Sequence, residues 1–101
     1  MISYRVIKEG FIAKDKNGEK LPNAVMYFKE AGTSAPIDTY NSELLDCVNL
    51  NPVVSDCEGK FPPIFSRKGE KLKVELKSAE GFTLWTQDDI EYIGKIINLT
   101  R

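Results

Sequence analysis

The residues of this chain best placed to do chemistry are the carboxylates of Asp88-Asp89-Ile90-Glu91. A calcium loop spaces its oxygens at alternate positions and turns on a glycine, as in D-x-D-x-D-G, and this run does not. A glycosidase needs two carboxylates facing each other across a cleft, and a domain this small has little room for one. The simpler reading is a polar strand exit in which one aspartate accepts backbone hydrogen bonds. Asp56-Cys57-Glu58-Gly59 likewise reads as a turn. The chain contains no histidine. That removes Ser-His-Asp and Cys-His nucleophile systems, the usual general base near neutral pH, and most zinc and non-haem iron ligand sets. Cys47 and Cys57 stand ten positions apart without a CxxC spacing, so metal and dithiol redox roles are not indicated. Met1–Glu9 has no apolar signal-peptide core, and no stretch approaches the length of a membrane span. Both thiols are therefore expected to stay reduced in the cytoplasm where the chain is made. We expect a non-enzymatic protein with no cofactor, no metal site and no membrane partner.

Charge narrows the partners further. Lys plus Arg number 14 and Asp plus Glu 15, for a net charge of -1. The nearest thing to a basic run, Ser66-Arg67-Lys68-Gly69-Glu70-Lys71, is broken by Glu70 and reads as a solvated loop. Nucleic-acid affinity rests on clustered positive charge, so a nucleic-acid partner is not expected. At 101 residues the chain is the size of one domain, 1–101. Such a domain buries roughly two-thirds of its unfolded surface, enough for a core without metals or disulfides.

The elements that must position these residues are strands. Lys71–Lys77 alternates charged and apolar residues with period two, so Leu72, Val74 and Leu76 face the core and Lys71, Lys73, Glu75 and Lys77 face water. Ala24–Phe28 is a dense β-prone run. Asn17-Gly18 suits a two-residue type I′ hairpin turn, which needs positive φ at both central positions. It separates Gly10–Lys14 from Glu19–Leu21, and Pro22-Asn23 interrupts pairing after it. Ser78-Ala79-Glu80-Gly81 turns the chain into Phe82–Gln87, with Gly81 left-handed. Val53-Val54 is a short strand. Phe61-Pro62-Pro63-Ile64-Phe65 must run extended, at a sheet edge. Ser42 can cap one helical turn over 42–47, too short for an independent helix. Tyr92-Ile93 and Ile96-Ile97 suggest a final strand kinked at Gly94. Short strands with a turn signal every ten or so residues predict an all-β, small antiparallel β-sandwich.

Two stretches resemble known families. From Phe28-Lys29-Glu30-Ala31-Gly32-Thr33 through Tyr40-Asn41-Ser42, the chain reaches Asn51-Pro52-Val53-Val54-Ser55-Asp56-Cys57-Glu58-Gly59-Lys60-Phe61-Pro62-Pro63-Ile64-Phe65. It continues with Lys73-Val74-Glu75-Leu76 and Ala79-Glu80-Gly81-Phe82-Thr83-Leu84-Trp85-Thr86-Gln87-Asp88-Asp89-Ile90. In order, spacing and unusual residues, 28–90 resembles the β-rich module near the N-terminus of phage tail fibres, tailspikes and head-fibre proteins. Ala13–Met26 is similar to the opening of prealbumin-like and carboxypeptidase-regulatory-like sandwiches, where D-x-x-G-x-x-L-P-x-A-x-V recurs. The first resemblance implies a structural protein of a tailed-phage virion, an attachment or adaptor domain bound to capsid, neck or tail proteins and assembled as a homo-oligomer, most simply a trimer. Two further readings stand beside it: a free-standing capsid or neck decoration protein, and a carbohydrate-binding or adhesion sandwich. A hydrolase built on Asp88 and Asp89 is a remote third. Tyr40, Phe65 and Trp85 are the candidate aromatic anchors on a partner surface, although a Trp85 that caps the sandwich is the simpler reading.

Overall fold

The computed structural model describes residues 3–7, 10–67 and 70–90. The expected last strand at 92–97 lies outside them. The described residues form six strands: β1 (Ser3–Arg5), β2 (Val25–Glu30), β3 (Val53–Val54), β4 (Phe65–Arg67), β5 (Leu72–Lys77) and β6 (Thr83–Ile90). All pairs are antiparallel, in a four-stranded sheet of order β3-β2-β5-β6 and a two-stranded sheet of β1 and β4. No helix occurs among the described residues. The chain is a small antiparallel β-sandwich.

Period-two alternation places the core. Met26 opposes Leu76 and Phe28 opposes Val74 across β2 and β5, and cross-strand partners share a face. All four are at most 2% exposed, as is Leu72. Val6, Ile7 and Ile64 close over that face from the second layer, with Val53 and Ile90 at its margins. Lys73, Glu75 and Lys77 point the other way, as expected, but are half-buried rather than free in water. Lys29 Nζ lies 3.0 Å from a Glu75 oxygen, and the Lys29 and Lys77 ammonium groups sit 5.8 and 5.1 Å from the centre of the Tyr27 ring.

Three tight turns share one construction, and it differs from the expected type I′ geometry at Asn17-Gly18. There, positive φ occurs at Gly18 alone (84°), not at Asn17. The Gly18 N–H donates to the Asp15 carbonyl (3.0 Å), the Asp15 N–H to the Glu19 carbonyl (2.9 Å), and Asp15 Oδ1 accepts from Asn17 and Glu19. This is a three-residue loop with a glycine in the left-handed bulge position. Two residues were expected to make the turn because Asn-Gly is a strong signal, but the Asp15 carboxylate satisfies two backbone donors and draws the loop one residue wider. The same bonds recur at Asp56–Lys60, with Gly59 at φ 80°; Ser78–Phe82, with Gly81 at φ 97°, repeats both backbone bonds and the one side-chain bond from Phe82 N–H to Ser78 Oγ.

The middle of the chain departs from two expectations. Residues 42–47 hold no helix: the Leu45 N–H donates to the Ser42 carbonyl (3.1 Å), and Leu45 then takes a φ of 58°, which ends the turn. Ser42 Oγ accepts from Leu44 N–H as a cap would (3.2 Å), but spends its own proton on Asp46. The double-proline stretch does not form the expected sheet edge, because Phe65 at its end is flanked by Arg5 on one side and Tyr40 on the other. Pro62 and Pro63 are exposed and unpaired, and regular pairing starts only at Phe65.

Candidate functional site

The three candidate anchors fall in two places. Tyr40 and Phe65 come together. Tyr40 N–H donates to the Phe65 carbonyl (2.8 Å) and Phe65 N–H to the Tyr40 carbonyl (2.7 Å), so Tyr40 adds a single-residue third row to the β1–β4 sheet. Arg5 is the cross-strand partner of Phe65 on β1, and Arg67 lies two residues beyond Phe65 on β4. All four side chains therefore share the outer face. The opposite face carries Ser66, fully buried. Each guanidinium lies over the ring in the neighbouring row: Arg5 is 5.5 Å from the Phe65 ring centre, and Arg67 is 5.1 Å from that of Tyr40. Arg5 is further held by its Nε–H donating to the Ile7 carbonyl (3.1 Å). Tyr40 is 4% exposed and Phe65 half-buried. The rings are thus a floor beneath the arginines.

Trp85 is elsewhere. It opposes Leu76 across β5 and β6, and its half-buried ring packs against the core. The exposed apolar residues of that region are its neighbours Leu84 and Phe82, at 36% and 72%.

A second surface was not among the anchors read from the sequence. Val48, Leu50 and Val54 are 57%, 87% and 51% exposed. With Pro52, Val53 and Pro62 they line a shallow groove of about 300 Å³ beside β3, the edge of the larger sheet. A second groove of about 480 Å³ shares Val54 and Pro62 and runs on to Phe61 and Lys60. Two polar side chains hold this edge in place. The Asn51 amide oxygen accepts from Phe28 N–H (3.1 Å), while its nitrogen donates to the carbonyls of Phe28 (2.8 Å) and Ile37 (3.1 Å). Asn51 so continues the β2–β3 ladder with a side chain in place of a peptide. The Ser55 hydroxyl accepts from Ala24 N–H (2.9 Å) at the other end. Alternation in Pro52-Val53-Val54-Ser55 carried the signal: Val53 and Ser55 turn inward, and Val54 must then face out.

Asp88, Asp89 and Asp56 each bond or pair with neighbouring groups. Asp88 Oδ1 accepts from Gly32 N–H (2.9 Å) and Asp89 N–H (2.7 Å), as one aspartate was expected to do. Asp89 Oδ1 stands 3.6 Å from Lys71 Nζ, both exposed. Asp56 is held below the usual carboxylate range, first by the hydrogen bond from Lys60 N–H, then by that from Glu58 N–H. Among the described residues no three Asp, Glu or Cys side chains converge to hold a metal ion. Cys47 and Cys57 are both exposed free thiols. No protein-family model matches the chain, and no curated protein matches it at a significant level.

Proposed function

We propose that this chain is a non-enzymatic attachment or adaptor domain of a tailed-phage virion, working by binding and self-association. The observation that carries the reading is how the Asn51–Phe65 motif divides. Val53 and Ile64 enter the core, Asn51 and Ser55 lock the sheet edge, and Val54 and Pro62 are left facing water around an apolar groove that half-buried Pro52 also lines. Contiguous exposed apolar surface on a small domain marks a protein contact more often than a chemical site. Prolines set φ in advance, so little entropy is lost when such a surface is covered. The assignment to a virion itself rests on the resemblance of residues 28–90 to fibre and tailspike modules.

Two measurements test it. Light scattering on the purified chain is expected to give a trimer or higher ring, and imaging of intact particles to locate the chain at a head, neck or tail joint. Leu50→Glu and Val54→Glu are each expected to abolish incorporation into particles while leaving the circular dichroism unchanged. A stable monomer that binds glycans and is missing from the particle would overturn the reading in favour of a carbohydrate-binding sandwich.

A further inference from the structure

The outer face of the two-stranded sheet has a chemistry different from the apolar edge. Arg5 and Arg67 make no ion pair with any carboxylate among the described residues, although Asp and Glu outnumber Lys and Arg in the chain. Each instead lies over a ring, 5.5 Å from the Phe65 centre for Arg5 and 5.1 Å from the Tyr40 centre for Arg67. Two guanidinium groups are thus seated on aromatic rings and meet no carboxylate of the described residues. A planar guanidinium presents paired N–H donors that suit a carboxylate bidentately.

Spacing selects among anionic ligands. Arg5 opposes Phe65 and Ser3 opposes Arg67, so the arginines are diagonal neighbours. Their Cα atoms are then roughly 7–8 Å apart. Alternate side chains on one face of an extended peptide repeat at roughly 6.6–6.8 Å. Stacked bases and sugars need an open ring face, and here the Tyr40 ring is buried beneath Arg67.

We infer that Arg5 and Arg67, backed by Phe65 and Tyr40, form a docking surface for an extended acidic protein segment with carboxylates at alternate positions. The surface is separate from the apolar groove at β3 and does not depend on the virion assignment.

Titration of the ¹⁵N-labelled chain with a Glu-Thr-Glu-Thr-Glu peptide tests this at low salt. The arginine Nε–H signals of residues 5 and 67 are expected to shift together, and binding to weaken steeply as salt rises. Arg5→Gln and Arg67→Gln are each expected to lower affinity at least fivefold. If either loses the native spectrum, Arg5→Lys and Arg67→Lys are read instead, with affinity still expected to fall because lysine lacks the planar fork. Unchanged binding in these variants, a tighter response to an oligo-dT strand, or an equal response to inorganic phosphate would each overturn the inference.

Discussion

Asp15, Asp56 and Ser78 occupy the same position in three turns, and each has a glycine three residues later in the left-handed region. The glycines are not equivalent. A Cβ on Gly18 would meet open space, whereas one on Gly59 would lie 2.7 Å from the Ala13 carbonyl oxygen. Gly18→Ala is expected to cost about 1–2 kcal/mol, the strain of a left-handed alanine. Gly59→Ala carries the same strain plus a backbone clash, and should cost at least about twice as much in denaturant midpoints. Equal losses would show that the contact with Ala13 is slack. Asp56 supplies a pH test. Its folded value is depressed because two N–H groups bind the charged form. Its stabilising contribution is then present above the ordinary carboxylate value of about 4 and is lost as pH falls through the lower folded value. Wild type is expected to be more stable than Asp56→Asn at pH 7, with the gap closing as pH falls through the depressed folded value. A gap independent of pH would mean that Asn accepts the two bonds as well as the carboxylate does. The turn signal, Asp or Ser followed three residues later by Gly, is legible in the sequence. It is not sufficient, since Ser66-Arg67-Lys68-Gly69 has the same spelling while Ser66 sits inside β4 with a buried hydroxyl that has no hydrogen-bond partner.

At the scale of elements, the edges of the larger sheet are handled differently. At β3 the Asn51 side chain finishes a ladder that two residues of strand leave short. Asn51→Ala leaves the Phe28 N–H without that acceptor in a fully buried residue, at an expected cost of about 1–3 kcal/mol. Faster hydrogen exchange at Phe28 than at Phe65 would identify the cause, and an unchanged Phe28 rate would refute it. The β6 edge is broken by irregularities. Leu72 opposes Ile90 and Val74 opposes Gln87, so Asp88 and Asp89 together face the one residue Lys73. This bulge shifts the parity of the strand, so that Trp85, Gln87 and Ile90 all face inward; without it Ile90 would point to water. Asp89 adopts a φ of 60° to make it. Asp89→Gly should therefore be tolerated, while the β-branched Asp89→Val should destabilise by about 1–2 kcal/mol. Similar melting temperatures for the two variants would argue that the bulge relaxes freely. The strands themselves were readable from alternation and turns. The bulge was not, because an extra residue is visible only once a partner register exists to count against.

For the whole molecule, both sheets contribute to one core, with Val6, Ile7 and Ile64 packed on Met26, Phe28 and Val74. Neither layer can keep its apolar face dry alone, so they should unfold together. Calorimetry on dilute protein is expected to show one transition whose van't Hoff and calorimetric enthalpies agree. Two transitions would mean that the β1–β4 layer is an independent unit. By itself, the sequence determined the fold class, the inward residues of β5, the glycine turns and the lack of imidazole chemistry. Those follow from period-two patterning and backbone sterics, which act over a few neighbouring residues. Only the tertiary structure decided that Trp85 packs against the core, that Tyr40 and Phe65 meet under two arginines, and that Asp88 and Asp89 form a bulge. Each of those depends on register between segments far apart in the chain, and register is set by how the two layers share a core.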